Sequence, residues 1–304
     1  MAHDADSLSA GKAEWQPIAV AVVHGVGRQD PTFADELIAE LTYRFARFLP
    51  ANVPDPQTQI IIEPVHWAPV LQHAEEQLWQ RLKREGDLNF IKLRRFMVEF
   101  GADALAYQPL PHRRAVYDAI HGVMARSLRR LAERAGSHAP LCVIAHSLGS
   151  VIASNYIYDL QAEKMPDSVR AVHQPTPVEL GETFAFFYTL GSPIALWSLR
   201  FSDFGMPINV PSPRLAHYYP ALKGEWVNFY DPDDIIGYPL KPLNEKYRRV
   251  VKADIPVNVG SILASWNPLS HMGYWTDNDI TVPIARALAE GWKQVNAARL
   301  TANT

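Results

Sequence analysis

The sequence predicts an α/β fold with a doubly wound, mostly parallel sheet. Three observations carry this: short uninterrupted apolar runs rich in β-branched residues, amphipathic helical stretches that alternate with them, and glycine-bearing turns where two of the runs stop. Ile18-Ala-Val-Ala-Val-Val23 is the first run, and its continuous hydrophobicity marks a strand covered on both faces. It ends at His24-Gly-Val-Gly27. From Pro31 to Phe48 the chain sets Phe33, Leu37, Leu41 and Phe45 at spacings of four, one apolar stripe on a helix with a proline near its first turn. A second strand, Gln59 to Trp67, follows a proline-rich turn over residues 50–56 and completes a parallel crossover.

From Pro69 to about Tyr107 the composition is helical and carries Trp79, Phe90, Ile91, Phe96, Met97 and Phe100. The stretch is longer than a crossover needs, so residues 69–111 are expected to form an inserted helical cap, placed as a lid over the site. A helix over His112 to Ala135 leads to a strand at Leu141 to Ala145, the turn His146-Ser-Leu-Gly149, and a helix to about Gln161. Further strands are expected at Thr183 to Leu190, Trp226 to Tyr230 and Val250 to Val259, and the closing helix at Val282 to Arg299. The predicted organisation is a flexible N-terminal tail over residues 1–17 and a single α/β domain over 18–304.

Composition narrows the function classes. A chain of 304 residues that is 48% apolar buries about three quarters of its unfolded surface and needs no covalent staple. Lys+Arg 29 against Asp+Glu 32 leaves no cationic surplus for a phosphate backbone, so nucleic acid is not an expected partner. The one cysteine, Cys142, excludes an intrachain disulfide and a multi-cysteine zinc site; within Leu141-Cys-Val-Ile-Ala145 it reads as a buried, inert thiol. The first seventeen residues are polar and lack the apolar core of a secretory signal. No uninterrupted apolar stretch of about 18 residues occurs, so a cytoplasmic location without stable membrane insertion is expected.

Ala145-His-Ser-Leu-Gly149 places a serine between a strand and a helix with small residues two before and two after it. A sharp turn there lifts the serine oxygen clear of the sheet, while the small flanks let strand and helix pack closely. A serine hydroxyl needs a histidine base at neutral pH, and the base needs a carboxylate that fixes its tautomer. Downstream of Ser147, His173 lies in a polar, proline-rich stretch and His217 in an aromatic loop, whereas His271 follows the last strand and precedes the final helix. His271 is the expected base. The acid must leave the carboxyl end of a strand, which points to Asp231-Pro-Asp-Asp234; Asp254 lies inside a strand, and Asp277 and Asp279 follow the histidine. Among Asp231, Asp233 and Asp234, an Asp-Pro turn would use at least one carboxylate to cap backbone amides. Pro232 holds Asp231 extended, whereas Asp234 precedes Ile235-Ile236, whose aliphatic side chains would desolvate it. An oxyanion needs two fixed N–H donors: Leu148 supplies one, and the loop His24-Gly-Val-Gly-Arg28 the other, from Val26 or its neighbour. No phosphate-binding loop, dinucleotide fingerprint or His-Glu-x-x-His pair occurs, and neither a cofactor nor a metal is implied.

These residues resemble the α/β-hydrolase superfamily, in its lipase and esterase branch. The matches are His24-Gly25, the elbow at Ser147, Gly191-Ser-Pro193 after a core strand, and the pair Asp234-Ile-Ile with Ser270-His271, over roughly residues 18 to 280. The resemblance implies a catalytic Ser147, Asp234 and His271, an oxyanion hole at Val26 and Leu148, support from His24, Gly25, Gly149 and Asp231, and a small-molecule or lipid ester as substrate. Ala145 departs from the usual glycine, and residues 69–111 have no counterpart in the pattern. An acyltransferase would use the same triad with an alcohol in place of water, and a binding protein could occupy the same scaffold without turnover.

Overall fold

The computed structural model describes residues 15–85, 89, 91–109, 114–259 and 270–302. One six-stranded sheet runs through it, built from β1 (Ile18–Val23), β2 (Ile60–Val65), β3 (Leu141–His146), β4 (Phe184–Leu190), β5 (Glu225–Tyr230) and β6 (Val251–Pro256). The order is β2-β1-β3-β4-β5-β6 and every neighbouring pair is parallel, so the sheet is wholly rather than mostly parallel. The long helices are α1 (Asp35–Phe48), α2 (Gln72–Glu85), α3 (Ile91–Ala106), α4 (Ala115–Ala135), α5 (Leu148–Gln161) and α6 (Asn278–Val295).

The two-residue strand period divides the core into two layers. Ala19, Ala21, Leu141 and Val143 face a cluster with Ile120 and Met124 of α4 and Val151 and Ile152 of α5. Ile18, Val20, Cys142 and Ile144 face the other way, against Leu37, Leu41 and Phe45 of α1 and Ile284 and Leu288 of α6. Burial on both faces is why these strands read as unbroken apolar runs. Cys142 lies fully inside the second layer, and burial raises its thiol pKa well above the ordinary value. Pro64 is tolerated in β2 because β2 is an edge strand. Glu63 on the same strand is held by Arg130 at 2.5 Å and Arg134 at 2.9 Å of α4.

The predicted tail is partly docked. Trp15 stacks on Trp292 of α6 at 5.1 Å, and the Gln16 amide donates to Asn296 Oδ1 at 2.9 Å. The polar composition of residues 1–14 hid this anchor, and those residues lie outside the described ones. The stretch expected as a cap forms α2 and α3 between β2 and α4. Leu71, Trp79 and Tyr107 are buried, whereas Leu78, Leu82, Ile91, Met97 and Leu105 are exposed, so its apolar side chains do not all serve docking. Tyr107 ties the end of α3 to the body: its hydroxyl meets His121 Nε2 of α4 at 2.9 Å and accepts from Asn155 Nδ2 of α5 at 3.3 Å. Among the described residues no helix is long and apolar enough to cross a membrane.

Candidate active site

The carboxyl ends of the strands lie level: Val23 pairs with Ala145, His146 with Leu190, Leu190 with Phe229, and Tyr230 with Pro256. Residues that follow these ends therefore share one edge of the sheet. β1 passes the chain to α1 on one face and β3 passes it to α5 on the other, so the loops behind them part at a topological switch point, where open parallel sheets bind ligands.

Ser147 occupies that turn with φ +52° and ψ −132°, a backbone state that a side-chain-bearing residue holds only when its surroundings impose it. Its N–H donates to the Leu190 carbonyl at 2.9 Å, and its carbonyl accepts from Ser150 N at 2.9 Å and Ser150 Oγ at 2.6 Å. Ser150 Oγ lies in turn 2.6 Å from Ser192 Oγ, which connects the elbow to the Gly191-Ser-Pro193 turn. Two glycines beside the serine are required by contact. A methyl group on Gly149 would collide with the His24 carbonyl, and one on Gly25 would stand 2.7 Å from Ser147 Cβ. Gly149→Ala is expected to destabilise the fold by about 3 kcal/mol, because the obstacle is backbone at the carboxyl end of β1. A chemical-denaturation midpoint checks this.

Leu148 is the first residue of α5, so its amide belongs to the unpaired donors at the positive end of the helix dipole. Val26 follows Gly25 in the loop that passes Ser147, and is buried. His24 holds this loop in place. Its Nδ1 donates to the Gly25 carbonyl at 2.7 Å, while its Nε2 accepts from the amides of Trp67 and Ala68 at 3.0 and 3.2 Å. Both ring nitrogens are committed, and burial lowers the ring's pKa to about 3. His24 is thus a neutral bolt between the β1 loop and the chain leaving β2, with Trp67 stacked on it at 4.7 Å.

The two leading acid candidates separate clearly. Asp231 Oδ1 accepts from Asp233 N at 2.8 Å and its Oδ2 from Val259 N at 2.9 Å, so it organises its own loop and the exit of β6. Asp234 Oδ1 accepts from Ile236 N at 2.9 Å, and its Oδ2 accepts from the Tyr274 hydroxyl at 2.9 Å. Asp254, inside β6, spends its carboxylate on Asn228 Nδ2 and the amides of Leu240 and Lys241. Asp234 is buried, but not by the aliphatic pair: Ile236 is buried while Ile235 is 67% exposed. What closes around the carboxylate is Gly191, Gly237 and the Tyr274 ring; a methyl group on Gly237 would lie 2.8 Å from Oδ2.

His271 belongs to the short helical segment Ser270–Trp275, and its side chain lies outside the described residues. Two neighbours locate the segment. Tyr274 donates to Asp234 and accepts from Asp231 N at 2.8 Å, and Trp275 lies 5.3 Å from the ring of His146, the residue before Ser147. The segment is therefore held between the Asp234 loop and the serine elbow. No protein-family model, curated protein or solved structure matches the chain.

Tyr274 carries more than sequence reading assigned to it. Its phenol is buried, and burial together with Asp234 raises its pKa far above the ordinary value, so it remains a donor. Tyr274→Phe is expected to cost about 1–2 kcal/mol of stability, by leaving Asp231 N–H and Asp234 short of a partner. Among the described residues no group of three or more His, Cys, Asp or Glu side chains could hold a metal ion. A cavity of about 220 Å³ begins at Val151, one turn along α5 from Leu148, and runs toward Tyr158, with Ile194, Trp197 and Met206 in its wall. Ser147 is not among the residues that line it.

Proposed function

We propose that the chain is a serine hydrolase of carboxylic esters on an α/β-hydrolase fold of the lipase and esterase type. The observation that carries the reading is Ser147 itself: a strained serine at a strand–helix turn, on the switch point, pressed against a glycine loop, and close to the segment Ser270–Trp275, which carries His271 and bonds Asp234 through Tyr274. The chain order serine, aspartate, histidine also fits this fold.

In this mechanism Ser147 Oγ attacks the ester carbonyl as His271 takes its proton. The charge that develops on the carbonyl oxygen falls to the amides of Leu148 and Val26, donors fixed before the reaction starts. Asp234 holds the imidazole tautomer and stabilises the imidazolium. His271 then protonates the departing alkoxide, which leaves an acyl group on Ser147. Water, deprotonated by His271, attacks this acyl-enzyme; as the acyl–oxygen bond breaks, His271 returns the proton to Ser147 Oγ and the acid is released.

The test is hydrolysis of nitrophenyl esters of graded acyl length. Turnover with an initial burst of nitrophenol, equal to the enzyme present, supports an acyl-enzyme. A folded chain that cleaves none of the series contradicts the proposal.

A further inference from the structure

The loop that would bind the oxyanion is fastened to α3 by Asp103 and to α2 by Glu76, and neither Asp103 nor Glu75, beside Glu76 in sequence, has an ion pair among the described residues. Gly27 N donates to Asp103 Oδ2 of α3 at 2.9 Å, and Gly27 itself has φ +81°. Arg28 lies 3.3 Å from Glu76 of α2, and Arg95 of α3 bridges Glu76 at 3.6 Å and Glu99 at 2.8 Å. These ion pairs account for both arginines and for Glu76 and Glu99. Asp103 and Glu75 remain: Asp103 is 1% exposed, Glu75 is 9% exposed, and Asp103 Oδ1 and Glu75 Oε1 are buried with no donor among the described residues.

We propose that Asp103 and Glu75 form a carboxyl pair sharing one proton, and that Asp103 is a positioning residue which straps Gly27, and so Val26, to α2 and α3 while that proton is held. The inference rests on the proposed role of Val26 in ester cleavage. The side chains of Asp103 and Glu75 meet, and neither has an ion pair among the described residues, so both cannot ionise at low cost and one proton joins the two unfilled oxygens. Burial raises the pKa of Asp103, and the hydrogen bond and charge of Glu75 add to it, up to about 9. Of the charged groups facing Asp103, Glu75 of α2 and Glu99 of its own helix both favour the protonated form, and the charge of Glu99 is itself met by Arg95 at 2.8 Å. A carboxyl raised in the folded state binds a proton that the unfolded chain has released. Its stabilising contribution is complete below the unfolded value and is lost as pH rises through about 9. Above that point the pair repels and the loop loses its anchor.

The experiment follows two readouts between about pH 6 and 10: amide hydrogen exchange of residues 24–28, α2 and α3, corrected for intrinsic rates, and the rate at which a fluorophosphonate labels Ser147. In the wild-type chain, protection of the loop and the labelling rate should both fall, the latter about tenfold or more, as pH passes 9. Asp103→Ala should show that loss already at neutral pH. Asp103→Asn, whose amide can accept from Gly27 and donate to Glu75 without a titrating proton, should restore most of it and flatten the pH profile. Coincident profiles for wild type and Asp103→Asn, or full loop protection in Asp103→Ala, overturn the strap. Loop protection that titrates as expected in a chain that no variant or pH allows to be labelled leaves the strap standing and removes the hydrolase reading.

Discussion

Ser147→Ala should yield a folded chain whose ester turnover has fallen by about 10⁶, the cost of removing the nucleophile from a triad. Folding should survive because the strain at this position is backbone strain: alanine carries the same Cβ as serine at φ +52° and meets the same Gly25. The bonds that impose the turn, to Leu190 and Ser150, come from main-chain atoms of residue 147 and remain. A steady-state assay beside a denaturation curve separates the two effects. Turnover surviving at a tenth of the original rate would place the nucleophile elsewhere.

The second large effect concerns the acid. Asp234→Asn should lower turnover by up to about 10⁴, since an amide facing the imidazole favours the wrong tautomer. Asp231→Asn should behave differently. Both oxygens of Asp231 accept from backbone amides, so replacing one by an NH₂ group sets a donor against a donor and costs about 1–3 kcal/mol of stability, with turnover within about tenfold. If Asp231→Asn loses far more turnover than Asp234→Asn, the loop works the other way round.

The sheet was legible because burial on both faces leaves a strong mark in the chain: β1, β3 and β4 are runs in which every residue is buried. The limits of elements were less so. The helix expected over Val282 to Arg299 begins at Asn278, because Asp277 caps it through Asp279 N at 2.7 Å while Pro283, which reads as a first-turn residue, sits inside it, and it ends at Val295, before a separate helix Ala297–Ala302. β6 stops at Pro256 because Tyr230 is the last residue of its partner strand, and the amide of Val259 goes to the Asp231 side chain instead. At the site, Ser147, Gly149 and the acid cluster announced themselves through local pattern. Tyr274, Trp67 and Asp103 did not, since each acts on residues far along the chain. Asp103 left one trace, an acid within the run Phe100-Gly-Ala-Asp-Ala-Leu-Ala-Tyr107, where a purely packing helix would place an apolar residue.

The most direct test of the account is reaction of the folded chain with a fluorophosphonate, followed by mapping of the adduct. Only a serine activated by a neighbouring base reacts at an appreciable rate. The account predicts a single adduct on Ser147, formed in the native chain and absent after denaturation. An adduct on another serine, or a native chain that takes up none, would contradict it.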